Sequence, residues 1–146
     1  GKVTLFDIGA KVPFIIRAPG LSKSGATSEA MVELIDIYPT LASLAELKIP
    51  NHLQGSSLRP LLGHPERLGK KKYAYSVVTR GPKNLGYALR NQNWRYGKWP
   101  DGEELYNLRS DPQEKNNLAQ KEHVKKRLEE FRKILAEKQK NLEEGN

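Results

Sequence analysis

Val12-Pro13-Phe14-Ile15-Ile16 is a compact apolar run inside an otherwise mixed opening segment. It is short, rich in β-branched and aromatic residues, and does not alternate, so it predicts a strand covered on both faces. Pro13 then sits at the strand's start, where a missing N–H is tolerated, and Pro19-Gly20 ends it. Residues 1–10 read as a loop or a short helical turn. Farther on, Leu34, Ile37, Leu41, Leu44 and Ala45 recur at three- and four-residue spacing and share one helical face. Pro39 fits a helix that starts near Asp36, with the Asp36 carboxylate as cap and the proline in the first turn. Residues 52–72 contain Gly55, Pro60, Gly63, Pro65 and Gly69 and read as a connection with one helical turn around Leu58, Leu61 and Leu62.

Beyond this connection the period changes. Residues 73–79, 85–90, 94–99 and 103–108 are short segments separated by Gly81-Pro82, Asn91-Gln92-Asn93 and Pro100-Asp101-Gly102. Tyr73/Tyr75/Val77 and Trp94/Tyr96 show two-residue periodicity, and the spacing predicts an antiparallel meander of four strands. Val124, Leu128, Phe131 and Leu135 then form one stripe on a helix over residues 121–142, which is expected to dock on the meander. Two parts follow: residues 1–65, a strand and helix that cannot bury themselves, and residues 66–146, an α+β unit with its own core. A doubly covered strand needs neighbours on both edges, and this sequence offers no parallel partners. A partner is therefore expected, either another portion of a larger sheet or an oligomer partner.

Composition changes this picture little. The chain has 146 residues, 37% hydrophobic and 29% charged, with no cysteine, which excludes disulfides and thiolate chemistry. The net charge of +8 raises a polyanion partner. Ten basic and six acidic groups fall in residues 1–73, and fifteen and eleven in residues 74–146, so the charge is diffuse. Nucleic acid is not expected as a partner, and no apolar run approaches the ~20 residues that span a bilayer.

No catalytic constellation emerges from spacing alone. His52, His64 and His123 are scattered without metal-ligand spacing, so no metal site is expected in this chain. Lys2 reads as a terminal surface lysine. Tyr87, Trp94, Tyr96 and Trp99, interleaved with Arg80, Arg90 and Arg95, could form a stacking surface for bases or sugars, or simply pack in strands.

Several ordered motifs carry a family resemblance. Gly1-Lys2-Val3-Thr4-Leu5-Phe6-Asp7 with residues 11–20 (KVPFIIRAPG) resembles the segment GK-x-TLFE…RVPLIIRAPG of sulfatases. Residues 32–41 (VELIDIYPTL) resemble their VELVDLYPTL helix, and Gln54-Gly55-Ser56-Ser57-Leu58 resembles a G-x-SL turn. Residues 102–119 are similar to GxELYDLxxDPxExxNLA. The chain thus resembles the C-terminal portion of sulfatases of the alkaline-phosphatase-like superfamily, arylsulfatase-like and iduronate-2-sulfatase-like members above all.

The resemblance implies an α/β fold ending in a four-stranded antiparallel sheet packed against a C-terminal helix. It implies sulfate-ester hydrolysis through a formylglycine and Ca2+, neither held within this chain. The formylglycine motif C/S-x-P-x-R does not occur here. Lys2 matches the lysine that contacts the sulfate, and Arg80 and Tyr87 are placed at the substrate entrance. The implied partners are an N-terminal sulfatase portion and a sulfated small molecule or glycan. The implied location is periplasmic, secreted or lysosomal. On this reading the isolated chain is catalytically incomplete. Two alternatives stand beside it: a non-catalytic structural or interaction module, and a basic glycan or nucleic-acid binder. The binder predicts Arg80, Arg90, Arg95 and Lys98 clustered on one face with an exposed Trp94 or Trp99.

Overall fold

The computed structural model describes residues 3–144, with side chains through residue 142. The chain divides into two compact units rather than splitting near residue 65. One unit spans residues 12–74; the other joins residues 3–11 to the chain from Tyr75 onward. Residues 3–11 go with the sheet because Leu5 is buried in its core. The connection through residue 74 stays with the first unit because Lys71 bonds Glu33 and Asp36 there.

In the unit of residues 12–74, a 3-10 turn (Leu34–Asp36) leads into a helix, Ile37–Leu44. This becomes α2 in chain order, after the four-residue α1 (Asp7–Ala10) of the other unit. Pro39 lies in the first turn of α2, as its missing N–H requires. Asp36 does not cap α2. Its fully buried carboxylate instead accepts the Glu33 N–H at 2.9 Å, the Ser56 N–H at 2.7 Å and the Lys71 ammonium at 2.7 Å. One turn on, the Thr40 hydroxyl accepts the Leu58 N–H at 2.8 Å and donates to the Asp36 carbonyl at 2.6 Å. Gly55 lets this turn approach: a Cβ there would lie 2.0 Å from the Ile35 carbonyl oxygen. α3 (Arg59–Gly63) supplies the expected short apolar turn.

Residues 12–16 form no strand. Val12, Phe14 and Ile15 are exposed, Ile15 by 90%. The apolar run signals burial, but a strand forms only where a neighbouring edge satisfies its backbone, and no described strand pairs with it.

In the other unit β1 (Ala74–Thr79), β2 (Leu85–Arg90), β3 (Trp94–Trp99) and β4 (Gly102–Asn107) form one sheet in that order, as the turn signals predict. β2 and β4 run antiparallel to β3, with Leu89 and Leu105 both opposite Tyr96. The Asn91 side chain accepts the N–H groups of Asn93 and Trp94 and so closes the β2–β3 turn. The outer edge of β4 is covered: Asn117 accepts the Leu105 N–H and donates to the Glu103 carbonyl, and the Leu118 N–H bonds the Leu105 carbonyl.

After a 3-10 turn (Glu122–Val124), α4 (Lys125–Glu144) lies on one face of the sheet. The expected stripe is buried, with Phe131 fully enclosed and its ring 5.9 Å from that of Tyr96. Arg132 bridges from the helix to Glu103 on β4, and the Tyr96 hydroxyl donates to Glu103 at 3.0 Å. Among the described residues no helix is long and apolar enough to cross a membrane.

The hydrogen bond from Arg132 holds the Glu103 carboxyl below its ordinary value of 4.5. A carboxyl depressed by folding contributes stability above its unfolded pKa, and the contribution fades as pH falls through the folded value. Acid should therefore loosen the helix–sheet contact. Glu103→Gln is expected to flatten the loss of thermal stability between about pH 5 and pH 3. Melts followed by tryptophan fluorescence check this, since Trp94 and Trp99 both belong to the sheet unit.

Candidate functional site

Alternation along β2, β3 and β4 gives the sheet a second face, made of Ala88, Arg90, Arg95, Gly97, Trp99, Glu104 and Tyr106. A helix covers the first face; residues 3–7 cover this one. Leu5 is 1% exposed and packs with Ala88 and Trp99. The Phe6 ring lies 5.7 Å from that of Tyr106, and the Arg95 guanidinium stacks over both, 4.4 Å and 4.7 Å from their centroids. Trp99 lies flat against Gly86, where an added Cβ would come within 2.5 Å of the indole. A glycine is therefore needed in β2 at that point.

Charge at the centre of this face is paired. Arg95, only 1% exposed, donates from Nε to the buried carboxylate of Glu114 and from a terminal nitrogen to Glu104 at 3.2 Å. Its other terminal nitrogen is buried without a hydrogen-bond partner. Glu114 reaches Arg95 from a left-handed backbone conformation, φ +54°. Its second oxygen accepts the Asp7 N–H at 2.7 Å. The Asp7 carboxylate, which also heads α1, is gripped by the Arg90 fork at 3.1–3.2 Å. The turn before Glu114 is built by Asp111, whose carboxyl is lowered by accepting the N–H groups of Asn116 and Lys115. Asp111, Glu114 and Asn117, the polar positions of the DPxExxNLA segment, thus each have a bonding partner that the sequence alone does not reveal.

The residues singled out from the sequence take separate places. Lys2 lies outside the described residues; its chain neighbour Val3 does not. Arg80 donates through Nε and a terminal nitrogen to the Val3 carbonyl, both at 3.2 Å, and its guanidinium covers Trp99 at 4.3 Å. Tyr87 projects on the opposite face, where its ring stacks with Tyr75 at 6.3 Å. Arg80 and Tyr87 are not brought together. The cluster expected of a nucleic-acid or glycan binder also does not form. Arg95 is enclosed, Arg90 is committed to Asp7, Lys98 faces the other side, and Trp99 is buried.

Among the described residues no group of three or more His, Asp or Glu side chains is placed to hold a metal ion. The carboxylates of the charged face, Asp7, Glu104 and Glu114, are each engaged by arginine or backbone N–H groups. A calcium site therefore does not fit these residues, and without cysteine or a C/S-x-P-x-R motif neither does a formylglycine.

Residues 1–141 match the family model described as N-sulphoglucosamine sulphohydrolase, C-terminal. An N-acetylglucosamine-6-O-sulfatase of Bacteroides thetaiotaomicron is 31% identical over 99% of this chain, and the match covers 28% of that protein. An arylsulfatase of Clostridium perfringens is likewise 31% identical, over 96% of this chain and 30% of its own length. A protein solved in complex with its substrate, D-glucosamine-2-N,6-O-disulfate, superimposes with a TM-score of 0.81 at 29% identity. That match covers 89% of this chain and 28% of that one. A phosphonate monoester hydrolase from Silicibacter pomeroyi superimposes at 0.80 and 26% identity, over 97% of this chain and 31% of its own. The chain thus spans less than a third of the length of these relatives. With the family model spanning residues 1–141, the chain belongs to the sulfatase family, as its C-terminal portion.

Proposed function

We propose that this chain works as the C-terminal part of a sulfate-ester hydrolase, and that it contributes Lys2 to the site while the remaining chemistry comes from an N-terminal portion. The observation that carries the reading is the seating of residues 3–7. The segment that follows Lys2 is held by backbone and side chain on the charged face of the sheet. Developing negative charge on the oxygens of a sulfate ester calls for a nearby cation, and a lysine ammonium is one.

Two features support the need for a further portion. Relatives are more than three times as long as this chain. The unit of residues 12–74 also exposes Val12, Phe14, Ile15, Leu34, Ile35, Tyr38, Leu41 and Leu47, more large apolar side chains than a unit of that size normally leaves in water. We assign these to packing against the N-terminal portion. The formylglycine and Ca2+ expected of the family belong to that portion on this reading. Sulfated amino sugars are the favoured substrate class. A relative is named for N-acetylglucosamine-6-sulfate, and a structural neighbour was solved with a disulfated glucosamine.

The test is sulfate release from an aryl sulfate and from N-acetylglucosamine-6-sulfate, with calcium present. The 146-residue chain alone is expected to release none, and the polypeptide that includes the N-terminal portion to turn over at least one of them. Activity of the isolated chain, or none from the longer polypeptide, would reject the proposal.

A further inference from the structure

We infer that a cleft between the start of β3 and α4, walled by Trp94, His123, Lys126, Arg127 and Glu130, binds a sulfated sugar ring of a glycan. The site stands on its own residues and does not depend on Lys2.

β3 opens on Trp94, whose N–H is held by the Asn91 side chain. Alternation puts the indole on the same face as Tyr96, but Tyr96 is enclosed against Phe131 while Trp94 is only half-buried. The buried Val124 completes the apolar part of the cleft, whose volume is about 310 Å3. That lies at the lower end for small-molecule sites and suits one substituted ring. The cations come from the helix side, not from the strand arginines, which are engaged elsewhere. Glu130 accepts from one terminal nitrogen of Arg127 at 2.6 Å, leaving the rest of the fork for an oxyanion. The Arg127 guanidinium stands 5.8 Å from the Trp94 centroid, whereas Arg80 closes on Trp99 at 4.3 Å and Arg95 on Phe6 at 4.4 Å. Arg127 thus stands off from its ring, near the limit of cation–π contact. Lys126 and His123 are exposed and have no ion pair among the described residues.

This combination selects a ligand class. An indole beside an apolar floor takes the C–H face of a sugar ring. Lys126 and Arg127, with His123 when protonated, take its anionic substituents. Several cations around one ring fit sulfates, which one sugar carries at more than one position, better than a single carboxylate. The Glu130 carboxylate accepts from sugar hydroxyls, and it disfavours a phosphodiester backbone, which has no donor to offer.

Calorimetric titration of the 146-residue chain with a heparin-derived hexasaccharide, beside the same oligosaccharide stripped of its sulfates, tests the site. The sulfated form should bind at least about tenfold tighter and change the emission of Trp94. Arg127→Ala should weaken binding about tenfold, the worth of one hydrogen bond to a charged group. Trp94→Ala, which leaves the charge unchanged, should weaken it by a similar factor. Lys83→Ala removes one charge from the exposed β1–β2 turn and should leave affinity within about twofold. If Trp94→Ala does not fold, Arg127→Ala and Lys126→Ala decide alone, since both side chains face solvent. Three results would each reduce binding to net charge and overturn the site: an equal loss in Lys83→Ala, equal affinity for the stripped oligosaccharide, or single-stranded DNA of similar length bound as tightly. No binding of the sulfated hexasaccharide up to about 1 mM also overturns it.

Discussion

Glu114→Ala should destabilise the sheet unit by about 3–5 kcal/mol, the cost of removing one partner from a buried ion pair. The side chains of Arg95 and Glu114 are 1% and 3% exposed. Without Glu114 the guanidinium keeps only Glu104, which is partly solvated, and the Asp7 N–H loses its acceptor. One nitrogen of Arg95 already lacks a partner, so the site has no spare acceptor to offer. The backbone makes a further distinction. Residue 114 sits at φ +54°, where any residue with a Cβ is strained by about 1–2 kcal/mol. Glu114→Gly should therefore cost less than Glu114→Ala by about 1 kcal/mol. A paired replacement, Arg95→Met with Glu114→Leu, should recover most of the loss, since apolar groups remove both the charge and its desolvation. Denaturant unfolding followed by tryptophan fluorescence reads this unit alone, because both tryptophans lie within it. A Glu114→Ala protein as stable as the parent would contradict the description of this face as charge-paired.

The sheet and the last helix were legible because their signals are local. Turn residues punctuate the strands at Gly81, Asn91 and Gly102, and the Val124–Leu135 stripe repeats at helical spacing, so burial on one side can be read directly. The resemblance located the motifs but not their work. Asp36 looked like a cap for α2, and only the fold shows its carboxylate joining Glu33, Ser56 and Lys71 across 35 residues of chain. The charged face was missed for a related reason. Arg and Glu are almost never enclosed unless paired, and nothing in the sequence paired Arg95, read for stacking or strand packing, with Glu114, which had no reading of its own. Their pairing spans 19 residues, and the bond from the Asp7 N–H to Glu114 spans 107. A faint signal was present: Arg90, Arg95 and Gly97 share one parity in the hairpin, and that face could have been read as occupied. The run at residues 12–16 failed in the opposite sense. Its composition signals burial, but no described strand offers it an edge, and it is irregular and exposed.

The second large effect is expected at Lys2, on the proposal that it faces the sulfate, and it is chemical rather than structural. A cation facing the sulfate stabilises charge that grows in the transition state, so its removal should act on kcat more than on KM. Lys2→Ala is expected to lower turnover by about 100- to 1,000-fold, comparable to loss of one strong electrostatic donor. The fold should be indifferent. Leu5, Phe6 and Asp7 hold the segment to the sheet. Lys2→Arg, which keeps the charge on a broader and differently shaped head group, should retain part of the activity.

The most direct test of the account is therefore kcat for sulfate-ester hydrolysis by the longer enzyme carrying Lys2→Ala, measured beside its unfolding midpoint. The account predicts a fall of about 100-fold or more with an unchanged midpoint. An unchanged kcat would contradict it.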